Sequence, residues 1–225
     1  MNIFGMLQSA LFIIMNALLY PVMALIVYLF GVILFYSGSF AFEFIFRRKI
    51  RRDDMENLVI QISNDLTHNN VGATQAKELV TNHLSSIRAS EILKNFLKSL
   101  LVMINKGRDN LDVRIENLLQ EYEIKVSKLL DKTRILVRLG PILGLMGTLI
   151  PMGGALLALS QGDLTPMAEN LVIAFSTTVV GLAVGAVAFV ITVYRERWYE
   201  EDMKSMEYLS EMMMKNISNR AGEKQ

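Results

Sequence analysis

The sequence contains no cysteine, which excludes a disulfide framework, a thiolate metal site and a covalent cysteine nucleophile. Histidine is nearly as scarce. The two that occur, His68 and His83, form no metal-ligand pattern with neighbouring carboxylates and read as surface or satisfied helix residues, so no metal site is expected. There is no nucleophile elbow, no phosphate-binding loop and no paired acid, base or metal constellation, so the chain does not read as an enzyme and implies no cofactor. An excess of one charge is also missing: 23 basic against 22 acidic residues leave a net charge of +1, which argues against nucleic-acid binding as the main business. From Met1 to Phe42 charge is absent altogether.

What the sequence does have is apolar residues, 52% of the chain against 20% charged, and the two kinds are segregated into blocks, the pattern of a membrane protein. The uncharged opening has room for one membrane span of about 20 residues preceded by an arm or short helix. The span is placed near Tyr20 to Phe42, giving an extracytoplasmic arm or helix over 1–19 and a first transmembrane helix over 20–46. A signal peptide is the competing reading, but the stretch is too long and lacks a basic leader. Two further uncharged runs, Leu139 to Gly162 and Asn170 to Tyr194, are each about 24 residues, enough to cross as helices. They define transmembrane helices over 135–160 and 167–194, joined by an extracytoplasmic loop over 161–166.

Basic residues set the orientation. Arg47, Arg48, Lys49, Arg51 and Arg52 follow the first span, Lys125, Lys128, Lys132, Arg134 and Arg138 precede the second, and Arg195 and Arg197 follow the third, whereas the 160–165 connection has none. By the positive-inside rule the N-terminus lies outside, and the 47–134 segment and the 195–225 tail lie in the cytoplasm. In the short loop Thr165 can cap the third span, Pro166 suits the first helical position, and Glu169 sits near the positive end of the helix dipole.

The cytoplasmic part is helical by period. Ile92, Phe96, Leu100 and Met103 recur at three or four residues, and no alternating strand pattern competes. His68 to Gly72 and Lys106 to Asn110 read as turns. A long helix beginning near Asp109, with Leu111, Ile115, Leu118, Leu119, Tyr122, Val126 and Leu129 on its apolar face, meets no breaker before Pro141 and continues into the second span. In the tail Trp198, Met206, Leu209 and Met213 share one side, and the Met212–Met214 run reads as adaptable packing. The fold class is therefore all-α: three transmembrane helices and a cytoplasmic helical bundle, with long helices shared between them.

The unusual features lie in the membrane hairpin. Gly140, Gly144, Gly147, Thr148, Pro151 and Ala155 fall along one face of the second span, and Asn170, Ala174, Thr177, Thr178, Gly181 and Gly185 along one face of the third. Close helix packing explains such small-residue stripes. Depth adds a second reading, because Thr148 and Thr178 each lie twelve residues, about 18 Å, from the outer ends of their spans. Ser176, Thr177, Thr178 and Thr148 need hydrogen-bond partners in hydrocarbon, and Pro151 deprives the Gly147 carbonyl of its usual donor. A hydroxyl and a bare carbonyl can receive a hydrated proton or a small cation.

Pro141-Ile142-Leu143-Gly144-Leu145-Met146-Gly147-Thr148 resembles the second-span signature of the MotA/TolQ/ExbB proton channel family, and Ala174-Phe175-Ser176-Thr177-Thr178-Val179-Val180-Gly181-Leu182 resembles its third. Three spans fit the ExbB/TolQ branch better than the four-span MotA branch. The resemblance implies an inner-membrane channel subunit for H⁺, with Na⁺ also open. It implies a homopentamer whose second and third spans surround the helices of two ExbD/TolR-like single-span partners, with ion flow driving rotation or force transmission, as in a motor stator or a protein-transport machine. It also implies that Thr148 and Thr178 face the ion route, with Thr177 and Ser176 beside them, lined by Gly144, Gly147, Pro151, Ala174, Gly181 and Gly185, while a partner aspartate carries the proton. Two departures stand out: Ile173 occupies the place of the ExbB glutamate, and Pro151 is extra. Glu169, one turn further out, either starts its helix or sits at the mouth of the route. A passive membrane scaffold recruiting partners through its cytoplasmic helices is the alternative.

The cysteine-free background makes the topology directly testable. A single cysteine at position 163 is expected to react with a membrane-impermeant maleimide applied outside, and cysteines at 131 or 207 only after the membrane is opened. Labelling at 163 from the cytoplasmic side alone would overturn the hairpin orientation.

Overall fold

The computed structural model describes residues 3–46, 90–105 and 110–222. All four regular elements among them are helices: α1 (Ile3–Phe46), α2 (Glu91–Asn105), α3 (Leu111–Ser160) and α4 (Leu164–Gly222). The basic cluster after the first span, both histidines, the expected 68–72 turn and positions 106–109 of the second turn lie outside the described residues. Three of the helices, α1, α3 and α4, contain stretches long and apolar enough to cross a membrane. The chain divides into two compact units, one of Met1–Phe42 with Leu130–Tyr194 and one of Glu43–Leu129 with Arg195–Gln225.

In the first unit α1, the outer part of α3 and the first half of α4 pack as three helices. The arm expected over 1–19 and the span expected from Tyr20 are a single helix of 44 residues with Pro21 inside it. An unbroken apolar sequence gives the backbone no reason to leave the helix, since in hydrocarbon every N–H and C=O must be satisfied within the segment. Val22, Ile26, Leu29 and Ile33 are buried against Leu136, Leu143 and Ile150 of α3 and Val184, Ala188 and Ile191 of α4. Their spacing of three or four residues keeps one stripe of α1 on the hairpin. Farther out, Met15 reaches α3: a Cβ at Gly153 would stand 2.7 Å from the Met15 methyl. Near the other end the Phe40 and Tyr194 rings meet at 5.9 Å.

The connection between α3 and α4 is shorter than the 161–166 loop read from the sequence. Gly162 adopts φ 76°, donating its N–H to Leu159 O at 3.0 Å while Asp163 N–H reaches Ala158 O at 3.0 Å. These two bonds close the end of α3 as a Schellman motif. The same Asp163 then caps α4, its Oδ1 accepting from Thr165 N–H at 3.3 Å. The cap is therefore Asp163 rather than Thr165, and Leu164, not Pro166, is the first helical residue; a carboxylate two residues earlier reaches the open N–H groups and leaves Pro166 inside the first turn, where its missing N–H costs nothing.

The second unit is a water-type core. Leu93, Phe96, Leu97 and Leu100 of α2, Leu111, Ile115, Leu118 and Tyr122 of α3, and Met206, Leu209 and Met213 of α4 form one buried cluster. Ser90 caps α2 by accepting Leu93 N–H at 3.2 Å, and the Arg114 guanidinium donates to Met103 O at 3.1 Å near its far end, serving carbonyls that have no intrahelical donor. Phe96 meets the Tyr122 ring edge-on at 5.3 Å, and the tyrosine hydroxyl lies 3.3 Å from Ser99 Oγ. Lys125 stands over that ring at 4.3 Å, and its hydrogen bond to Glu121 raises its pKa. The expected apolar face of α3 holds as far as Val126, but Leu129 is exposed and Leu130 is buried instead, because the buried stripe steps by four residues from Tyr122 through Val126 to Leu130, one of the two steps a 3.6-residue period permits. In the same unit Glu43 pairs with Arg195 at 3.4 Å, and the Phe44 and Trp198 rings lie 6.2 Å apart.

The left-handed backbone at Gly162 makes that position selective. Gly162→Ala is expected to destabilise the hairpin by about 1 kcal/mol and Gly162→Asn by less, since asparagine tolerates this conformation better. Thermal unfolding in bicelles measures the order; alanine as stable as glycine would contradict the turn described.

Candidate functional site

The α3–α4 seam is built from backbone meeting backbone. A Cβ added at Gly140 would lie 2.7 Å from Gly181 O and 2.8 Å from Gly185 N, and one at Gly181 would lie 2.6 Å from Gly140 O and 2.7 Å from Gly144 Cα. At Gly185 the obstacle is the Pro141 ring at 2.7 Å, and at Gly147 it is Thr177, whose Cβ and Oγ1 are both 2.6 Å away. The outermost contact is Gly154 with the Asn170 amide, 3.3 Å from the added Cβ. Glycine is required here for proximity: with no hydrophobic drive between helices in lipid, the contact rests on dispersion and close approach.

This register fixes where the hydroxyls stand. Thr177 is buried in the seam itself, its Oγ1 placed to donate to Ala174 O at 2.9 Å or Ile173 O at 3.0 Å. Thr178 Oγ1 lies 3.2 Å from Ala174 O on its own helix and 3.5 Å from Gly144 O across the seam. Thr148 Oγ1 donates to Leu145 O at 2.7 Å. With Gly147 set against Thr177, a rotation of about 100° per residue carries Thr148 and Thr178 to the same flank of the antiparallel pair. They stand within about 3 Å of one level along the axis. The opposite flank is the one α1 covers, through Leu143, Ile150, Val180 and Val184.

The residues singled out from sequence thus separate into three groups. Gly144, Gly147, Ala174, Gly181 and Gly185 are buried in or beside the seam with Thr177, and Pro151 is buried on the same side of α3. Thr148 and Thr178 are half-buried on the flank away from α1. Ser176 and Glu169, seven residues apart and both exposed, share the other side of α4, so the serine adjacent to two threonines in sequence is not beside them in space. The Thr148 hydroxyl turns to Leu145 O rather than to the carbonyl that Pro151 leaves undonated. Sequence reasoning passed over Thr133 and Thr192, both buried and bonded to Leu130 O at 3.0 Å and Ala188 O at 2.7 Å; a hydroxyl within an apolar period was the only signal, and it does not distinguish self-satisfied side chains from functional ones. It also did not pair Gly154 with Asn170, which requires the register.

A tight hairpin of apolar helices with hydroxyls at mid-depth and a third helix on one side defines a polytopic membrane protein with a polar stripe between its spans. The sequence model of the MotA/TolQ/ExbB proton channel family matches residues 87–208, more than half of the chain and all of the seam; the protein belongs to this family. No curated protein and no solved structure matches it.

At Gly181 the neighbours of an added methyl are all backbone atoms, which cannot swing aside. Gly181→Ala is therefore expected to lower stability by about 1–3 kcal/mol, while Gly38→Ala, with nothing within 4 Å, leaves it unchanged or higher. Thermal unfolding in bicelles reads both; a Gly181→Ala protein as stable as wild type would mean that the backbones do not meet.

Proposed function

We propose that the chain is the channel subunit of an ion-motive-force-driven membrane motor. Several copies, five by the family pattern, form a ring around the membrane helices of an ExbD/TolR-like partner, and ion flow past the ring is coupled to rotation or force transmission. The ring sits in the cytoplasmic membrane with its N-terminus outside and its tail inside. The observation that carries this reading is the division of the hairpin: α1 packs on one flank only, and the other flank presents Thr148 and Thr178 at one level above a glycine seam.

On this reading the uncovered flank turns toward the partner helices. The ion is H⁺, with Na⁺ compatible with the same oxygen donors, and a partner carboxylate takes it up. The threonines change no charge; each hydroxyl can rotate from its helical carbonyl to a hydrated ion or a protonated carboxyl, donating or accepting as required. Thr178, poised between Ala174 O and Gly144 O, already has two alternative acceptors. Thr177 supports the seam, and Ser176 and Glu169, on the other side of α4, stand outside the route. Each charge crossing the membrane potential releases about 2.3 kcal/mol per 100 mV, so a few ions suffice for a mechanical step.

One observation favours the scaffold alternative: Thr148, Thr177 and Thr178 all have a carbonyl of their own helix within bonding distance, so packing alone satisfies them. Valine separates the two readings. Thr148→Val and Thr178→Val keep the shape and remove the hydroxyl, and each is expected to reduce ion flux or motor output about tenfold or more, the loss expected when a hydrogen bond to a charged group is removed. Oligomer yield and partner association should remain, and serine at either position should restore part of the output. Full output from both valine variants at normal assembly would leave the scaffold.

A further inference from the structure

The seam that positions the threonines also sets the level of every charge on α3. Gly140 lies against Gly185 and Gly144 against Gly181, so Arg138 stands across from about Val187, seven residues from Tyr194 and therefore about 10 Å deeper into the apolar unit than that tyrosine. The other two helices are bare hydrocarbon there. Phe189 and Val190 of α4 and Leu34 and Phe35 of α1 are exposed, and the Phe40–Tyr194 ring contact places those α1 residues at the same height. Arg138 is exposed and makes no ion pair among the described residues, whereas Arg134 one turn below lies 3.7 Å from Asp131.

A guanidinium at this depth is costly unless it finds an anion or reaches the interface. Side chains lean toward the N-terminal end of their helix, so Arg138 leans toward Arg134, its neighbour at i−4. Above the pair, on the same face of α3, Ile142, Leu145 and Leu149 are exposed and apolar. Two cations below a strip of aliphatic side chains have the polarity of a phospholipid read from headgroup to tail. From this we infer that Arg138, with Arg134, holds the phosphate of an anionic phospholipid in the leaflet on the Tyr194 side, with an acyl chain along Ile142, Leu145 and Leu149. Guanidinium suits the task, since it can offer paired N–H donors to phosphate oxygens. The site faces away from α4 and is separate from the Thr148–Thr178 flank, so it does not depend on ion conduction.

Native mass spectrometry of the full chain, released from micelles doped equally with phosphatidylglycerol and phosphatidylcholine, counts the lipids retained. The wild type is expected to keep about tenfold more phosphatidylglycerol than phosphatidylcholine. Arg138→Gln should lose most of that excess, Arg138→Lys should keep part of it, and Arg197→Gln should not alter it. Millimolar inorganic phosphate should not displace the lipid. Equal retention of the two lipids, or an unchanged excess in Arg138→Gln, overturns the inference. So does displacement by phosphate alone, which would indicate a soluble anion. Weakened association between copies of Arg138→Gln in phosphatidylcholine alone also overturns it, since it would assign the guanidinium to a carboxylate of a second copy. Circular dichroism checks that each variant is folded. Should Arg138→Gln not fold, Arg134→Gln decides the matter: loss of the excess supports the site and its persistence overturns it.

Discussion

Backbone contact between two membrane helices requires that no side chain intervene, and the α3–α4 seam meets that requirement at Gly140, Gly144, Gly181 and Gly185, where an added Cβ would meet atoms at 2.6–3.3 Å. In water such a pair would be held mainly by burying apolar surface. In lipid that drive is absent, and close approach with many dispersion contacts takes its place. The rest of the first unit depends on this. Once the two backbones are in register, Thr177 has one place to go, against Gly147, and Thr148 and Thr178 are turned to one flank by helical geometry alone. The groove on the other flank is then wide enough for the Val22, Ile26, Leu29 and Ile33 stripe of α1.

The tight turn works to the same end from outside. Gly162 closes α3 and Asp163 opens α4, each using backbone groups that the helices leave unsatisfied. A three-residue connection of this kind permits little sliding between the helices, so the glycine register and the turn reinforce each other. The second unit is held by different physics: its leucine, phenylalanine and methionine cluster is the kind of core that water drives together, and polar caps such as Ser90 and Arg114 finish its helix ends. The residue types at the contacts differ accordingly: the first unit adds a glycine and threonine seam to its aliphatic cluster, and the second relies on large aliphatic or aromatic side chains alone.

Much of this was legible from local pattern. The spans followed from uncharged runs, the helical bundle from three- and four-residue spacing, and the stripes from the positions of glycine and threonine. Where the reading slipped, the cause was a choice between near-equal local options. Asp163 and Thr165 both have capping oxygens, and only the backbone path shows that the carboxylate is in place. Likewise Leu129 and Leu130 are adjacent and equally apolar, three and four residues after Val126, and only the packing shows that the four-residue step is the one buried. The arm before the first span and the span itself merged because no proline interrupts Ile3–Tyr20, and Pro21, which follows, does not end the helix.

By itself the sequence determined that the chain crosses a membrane, that its described regular elements are helical, and that hydroxyls and glycines are concentrated at mid-depth of two spans, because these depend on composition and on the fixed period of a helix. Only the tertiary structure decided which of those residues face each other. Ser176, Thr177 and Thr178 are consecutive in the chain, yet a turn of about 100° per residue sends them to three different surroundings, an exposed side, the seam and the flank with Thr148. Which direction is which depends on where α3 and α1 pack, the one set by backbone contacts between residues some forty positions apart and the other by side chains more than a hundred positions apart.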